Sequence, residues 1–112
     1  MKIAEQPISM ADMTANAQEA AALMRALSNA PRLLIMCHLA AAGELPVGSL
    51  VERIELSQSA LSQHLAKLRD QGLVAYRRDA QSLHYRIADP RAVRVLELLH
   101  EIYCPALEVT HD

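Results

Sequence analysis

"LSQSALSQHLAKLRDQGLV", residues 56–74, runs directly into "AYRR", residues 75–78, and this stretch decides the fold. Ser57 is a natural N-cap, because its hydroxyl can accept a backbone N–H from the first turn of a helix. Leu61, Leu65 and Leu68 then recur at steps of four and three, one apolar stripe on a helix that Gly72 stops. The outward face carries Gln58, Ser59, Ser62, Gln63 and Lys67, with His64 beside them. Short hydroxyl and amide side chains can approach base edges or phosphates in a major groove. The free N–H groups at the Ser57 end add phosphate donors. A shorter helix, from Pro46 to about Ile54 with Leu50 and Ile54 facing inward, precedes it across "ELSQS" (55–59). That pair reads as a candidate helix-turn-helix.

The pattern changes at Leu73. "LVAYRR" (73–78) and "LHYRIA" (83–88) read as strands, with Leu83, Tyr85 and Ile87 alternating with polar neighbours. "DAQS" (79–82) is a polar turn, so the two form a hairpin. Arg77 and Arg78 on one strand, with Gln81 and Ser82 at the tip, have the composition of a wing lying along a phosphate backbone or in a minor groove. The plainer alternative is a solvated polar face on an ordinary helix.

Working outward, residues 1–9 read as a loose arm and 105–112 as a tail, leaving one domain over 10–104. Ser9 and Asp12 open a first helix, on which Met10, Met13, Ala17, Ala20, Met24 and Leu27 form a stripe. Ser28 and Asn29 break it and cap a second helix with Pro31 in its first turn. The body of that helix, "RLLIMCHLAAA" (32–42), is apolar nearly all round and reads as a central buried helix ending at Gly43. Asp89-Pro90 opens a last helix, "RAVRVLELLHEIYC" (91–104), stopped by Pro105. The expected architecture is mainly α with one β-hairpin, in the order α-α-α-α-β-β-α.

Composition agrees with a helical chain. Of 112 residues 52% are apolar, yet only 3% are aromatic, with no Trp and no Phe, so Ala and Leu dominate. The chain fits one domain, and at this length dimerising adds core. No secretory h-region follows "MKIAEQPISM" and no run is long enough for a membrane span; the expected compartment is the cytoplasm. The net charge is −2, but residues 57–86 carry five Lys/Arg against two Asp/Glu. The flanks are acidic. Duplex phosphates require local positive charge, which this middle supplies.

The order of elements, with "ALSNAPRLLIMCHL", "LSQSALSQHLAKLRDQGLV" and "HYRIADP", resembles the ArsR family of winged-helix repressors across about residues 20–104. That resemblance implies a homodimer on double-stranded operator DNA, its first and last helices pairing across a two-fold axis. The last helix fits, with Leu96 and Leu99 on one side and Val95, Leu98 and Ile102 on another. The family's thiolate metal box does not map here: "ELPVGSL" (44–50) has Pro46 and Gly48 where its cysteines would stand. Its second metal pattern is broken at Asp89-Pro90-Arg91, and His100 lacks a His one turn on. No metal or other cofactor is therefore expected; zinc would need an unusual set drawn from the cysteines with His38 or His111.

Two cysteines remain, Cys37 and Cys104. Read from the residues alone, Cys37 is a small core hydrophobe, whereas Cys104, at a helix end before Pro105, is reachable. "LLIMCHLAAAGELPVGSLVERIELSQSALSQHL" and "LELLHEIYC" more narrowly resemble the SqrR/BigR/HlyU group of the family. That resemblance implies that Cys37 and Cys104 are a redox-sensing pair. They would react with persulfide or polysulfide donors, join through a disulfide or longer bridge, and release the operator of sulfide-detoxification genes. Three alternatives stay open at this point. One is a regulator or anti-repressor of the same fold with inert cysteines, another a metal-responsive repressor. The third, a thiol oxidoreductase, lacks a Cys-x-x-Cys or a triad.

Overall fold

The computed structural model describes residues 9–104. The rest of the expected arm and the whole tail, with Pro105 and His111, lie outside the described residues. The elements are α1 (Met10–Leu27), α2 (Ala30–Ala42), β1 (Glu44–Pro46), α3 (Val47–Arg53), α4 (Gln58–Asp70), β2 (Val74–Asp79), β3 (Ser82–Ile87) and α5 (Pro90–Tyr103). The helix starts follow the expected side chains. Ser9 accepts the Asp12 N–H at 3.0 Å, Asn29 the Arg32 N–H at 3.1 Å, Ser57 the Ala60 N–H at 3.1 Å and Asp89 the Arg91 N–H at 2.9 Å. Each satisfies one of the donors that the first turn of a helix leaves unpaired. Gly43 ends α2 at φ 85° and Gly72 follows α4 at φ 76°, left-handed positions that favour glycine.

The hairpin is present but belongs to a three-stranded antiparallel sheet in the order β1-β3-β2. The added strand is Glu44–Pro46, pairing Leu45 with Tyr85. The expected third helix therefore starts at Val47 rather than Pro46. The turn is also tighter than "DAQS". Asp79 pairs with Ser82, leaving Ala80 and Gln81 at the tip, with Ala80 at φ 57°. Leu73 lies outside the strand, buried beneath it, its N–H donated to the Leu68 carbonyl at 2.9 Å.

The core runs from α2 (Ile35, Met36, Leu39) through α3 (Leu50) to the α4 stripe of Leu61, Leu65 and Leu68, and is closed by Val74, Tyr85, Ala92 and Leu96. Two expectations change. On α1 only Ala26 and Leu27 are buried, with Leu23 packed against the core. Met10, Met13 and Met24 are 74%, 47% and 50% exposed, so that stripe faces away from its own chain. α2 is not buried all round. Cys37 is exposed and Leu34 is 48% exposed, because α4, α5, β1, β3 and α1 cover only part of its circumference. On α5, Leu96 is buried while Leu98 and Ile102 face solvent as expected; Val95 instead packs partly on the core.

Leu39 and Leu34 occupy the same apolar run, yet Leu39 is 1% exposed. Leu39→Ala is expected to cost about 2–5 kcal/mol through the cavity it leaves, and Leu34→Ala less than about 1 kcal/mol. Urea unfolding at fixed protein concentration checks this, and equal losses would contradict the burial pattern.

Candidate DNA-binding face and thiol pair

α4 seats its leucines on the core, so the opposite residues must face water. Gln58, Ser59, Ser62, Gln63 and Lys67 are exposed, and His64 is half-buried. His64 thus departs from the expected open face. Burial, then the charges of Arg32 and Lys67, hold it below the ordinary histidine range. Ser57 is exposed too, with its hydroxyl engaged as the expected N-cap and 3.2 Å from the Ser59 hydroxyl. Gln58 and Ser62 share a cleft of about 490 Å³ with Gln81 and Ser82 of the hairpin tip and with Gly48 and Val51 of α3. The helix and hairpin sites expected from sequence are therefore brought together.

The two wing arginines separate. Successive strand residues point to opposite faces, and Arg77 is held by Glu44 of β1. Its Nε lies 3.1 Å from both carboxylate oxygens and its Nη2 2.9 Å from Oε1. Asp79 stands 3.9 Å away. The arginine holds the Glu44 carboxyl below its usual range, and Glu44 raises Arg77 further. Arg77 is thus a strut between strands, spanning β3, rather than an uncommitted wing cation. Arg78 is exposed on the other face. The hairpin is also tied to the end of α4. The Arg69 guanidinium lies 5.3 Å from the Tyr76 ring centre, within cation–π range, and Tyr76 lies 5.3 Å from Tyr85. Sequence reading missed Glu44 and Arg69, because these partners are set by sheet register and by packing rather than by local spacing.

Cys37 lies on the exposed side of α2. Cys104 is half-buried at the C-terminal cap of α5, its N–H donated to the His100 carbonyl at 2.8 Å. Both are free thiols. Partial burial, and then the charge of Cys104, push the Cys37 thiol above its ordinary value. The exposure of Cys37 corrects the view of it as core packing. An open cleft of about 310 Å³ runs beside it, walled by Ala40, Ala41 and Leu96 and edged by Glu97 and His100. Among the described residues no three His, Cys, Asp or Glu side chains are grouped to hold a metal ion.

Comparison with known proteins gives this geometry a family. Residues 29–76 match the family model described as "Bacterial regulatory protein, arsR family". The chain is 46% identical over 100 residues to the transcriptional activator HlyU of Vibrio cholerae, covering 89% of this chain and 92% of that protein. The chain belongs to the ArsR family. It is also 37% identical to the biofilm growth-associated repressor of Agrobacterium fabrum, over 89% of each protein. Among solved structures, reduced HlyU of Vibrio cholerae superposes with a TM-score of 0.80 at 46% identity, covering 85% of this chain and 99% of that one. The repressor BigR of Xylella fastidiosa gives 0.78 at 35% identity, covering 87% and 98%. The chain is thus a winged-helix transcriptional regulator of this family and not an enzyme. No described helix is long and apolar enough to cross a membrane.

The effect of Cys104 on Cys37 has a sign. Because the Cys104 charge raises Cys37, Cys104→Ser is expected to lower the pH midpoint of iodoacetamide reaction at Cys37. Thiolate is the reacting form, so alkylation at pH 8–9 should become faster. An unchanged or higher midpoint would show that the two thiols do not sense each other.

Proposed function

We propose that the chain is a cytoplasmic, dimeric repressor whose grip on operator DNA is switched by reaction of Cys37 and Cys104 with persulfides. The winged-helix domain is 10–104, flanked by the arm and tail. The observation that carries the reading is the placement of two free thiols on α2 and at the end of α5, helices that pack on each other. The description of one solved relative as reduced HlyU is in keeping with thiol chemistry. The exposed Met10, Met13 and Met24 on α1 and Leu98, Ile102 and Tyr103 on α5 favour a second copy as their cover.

The chemistry balances without a metal. One thiolate takes the outer sulfur of a donor persulfide, giving a cysteine persulfide and the donor thiol. The other thiolate attacks the inner sulfur of that persulfide, forms the Cys37–Cys104 disulfide and expels hydrosulfide. The two thiols are oxidised and the sulfane sulfur is reduced. When both cysteines are persulfidated first, the same attack leaves a three-sulfur bridge and again hydrosulfide. A bridge ties α2 to α5, and α2 carries α4 on its apolar face. Half-sites on DNA are set about one helical turn, roughly 34 Å, apart, so a small change in the angle between two copies of α4 weakens binding. A second reading, a competitor that displaces another repressor from promoters with inert cysteines, is favoured by the activator name of the HlyU relative.

Cys37→Ser and Cys104→Ser should each bind the operator, selected from random duplexes by the reduced protein, like wild type. Both should lose the response to a persulfide donor. Release of DNA by either treated variant would remove the two-cysteine switch. Gln63→Ala should cost about 1–3 kcal/mol on the selected operator and less on random DNA; equal losses would show that Gln63 does not read bases. Arg78→Ala should weaken all duplexes alike and flatten the salt dependence, which anisotropy titration at several salt concentrations measures.

A further inference from the structure

Arg32 belongs neither to the thiol pair nor to the open face of α4. It stands in the first turn of α2 behind the Asn29 cap. Its guanidinium Nε is buried and meets no hydrogen-bond partner among the described residues. An arginine cannot shed its charge to escape this, because it stays protonated in proteins. An unmet buried donor is unusual in a folded chain and calls for a partner.

The packing of α2 on α4 brings other cations to the same place. Arg32 and Lys67 both act on His64, and no carboxylate is among the groups shifting it. Three residues apart on α4, His64 and Lys67 share one flank. Gln58 and Ser62, four apart, share the other, where they meet the hairpin tip. The recognition helix therefore lies between two flanking structures, the wing on one side and a cluster of basic groups from two helices on the other. A helix in a major groove has a phosphate backbone on each side of it.

We propose that Arg32, with His64 and Lys67, forms a seat for a DNA backbone phosphate on the flank of α4 opposite the hairpin. The seat holds one strand of the groove while the wing holds the other. It reads no sequence and fixes how deeply and at what angle α4 enters. The proposal rests on the DNA-binding reading.

The test uses the full reduced chain and a random-sequence duplex, with affinity measured across salt concentrations. R32Q should weaken binding roughly three- to tenfold, and the slope of log affinity against log salt should shrink by about 0.9 for each phosphate no longer neutralised. R32K should keep most of that slope. In wild type, the Arg32 Nε–H signal, identified by its loss in R32K, should shift when duplex is added, a readout independent of whether R32Q folds. An unchanged slope in R32Q, or an Nε–H signal indifferent to DNA, removes the seat while leaving DNA binding intact. Failure of wild type to bind duplex removes the DNA-binding reading and the seat with it.

Discussion

The apolar seam between α2 and α4 is the constraint on which the rest depends. Ile35, Met36 and Leu39 on one helix and Leu61, Leu65 and Leu68 on the other are all essentially inaccessible to solvent. A core packed to that density is not continuously deformable, so the seam fixes which residues of α4 face outward. It also makes α2 the common support of the molecule, because α1, α4, α5, β1 and β3 all pack on it. A covalent change on α2 would therefore act on the element that orients α4. The two free thiols lie outside that core, one on the uncovered side of α2 and the other at the end of α5.

Electrostatics follow the same division. The chain is acidic overall, with a net charge of −2, yet residues 57–86 carry five Lys/Arg against two Asp/Glu. Arg77 is neutralised in place by Glu44. An exposed ion pair of this kind contributes little to stability. Its value lies in geometry: it pins β2 to β1 across the middle strand and so sets the attitude of the hairpin. The Arg69–Tyr76–Tyr85 stack anchors the same hairpin to the last turn of α4. Helix and wing are thus joined by these contacts.

Much of this was legible from local sequence signals. Ser57, the leucine spacing, Gly72, Asn29 and Asp89-Pro90 each act within a turn of helix, and each is found doing what its chemistry predicts. What escaped was non-local. β1 is three residues long and contains Pro46; it becomes a strand only because β3 offers it an edge. The Glu44–Arg77 pair joins residues 33 apart in sequence. The α1 stripe showed that some surface would be covered but not by what, and most of it faces away from its own chain. The all-apolar run of α2 concealed an open side, since hydrophobicity records what can be buried and not how many neighbours arrive. Cys37 looked like core for that reason. The unmet Arg32 Nε has no signature in sequence at all.

The central claim is that chemistry at the α2–α5 thiols is transmitted to α4. Stepwise titration of the wild-type protein with a persulfide donor, following intact mass and operator affinity on the same samples, tests it most directly. Loss of affinity should track the fraction of chains carrying an internal Cys37–Cys104 bridge, reaching about tenfold or more when all are bridged, as an allosteric coupling of roughly 1–3 kcal/mol requires. Fully bridged protein that still holds its operator as tightly as the reduced form would contradict the account.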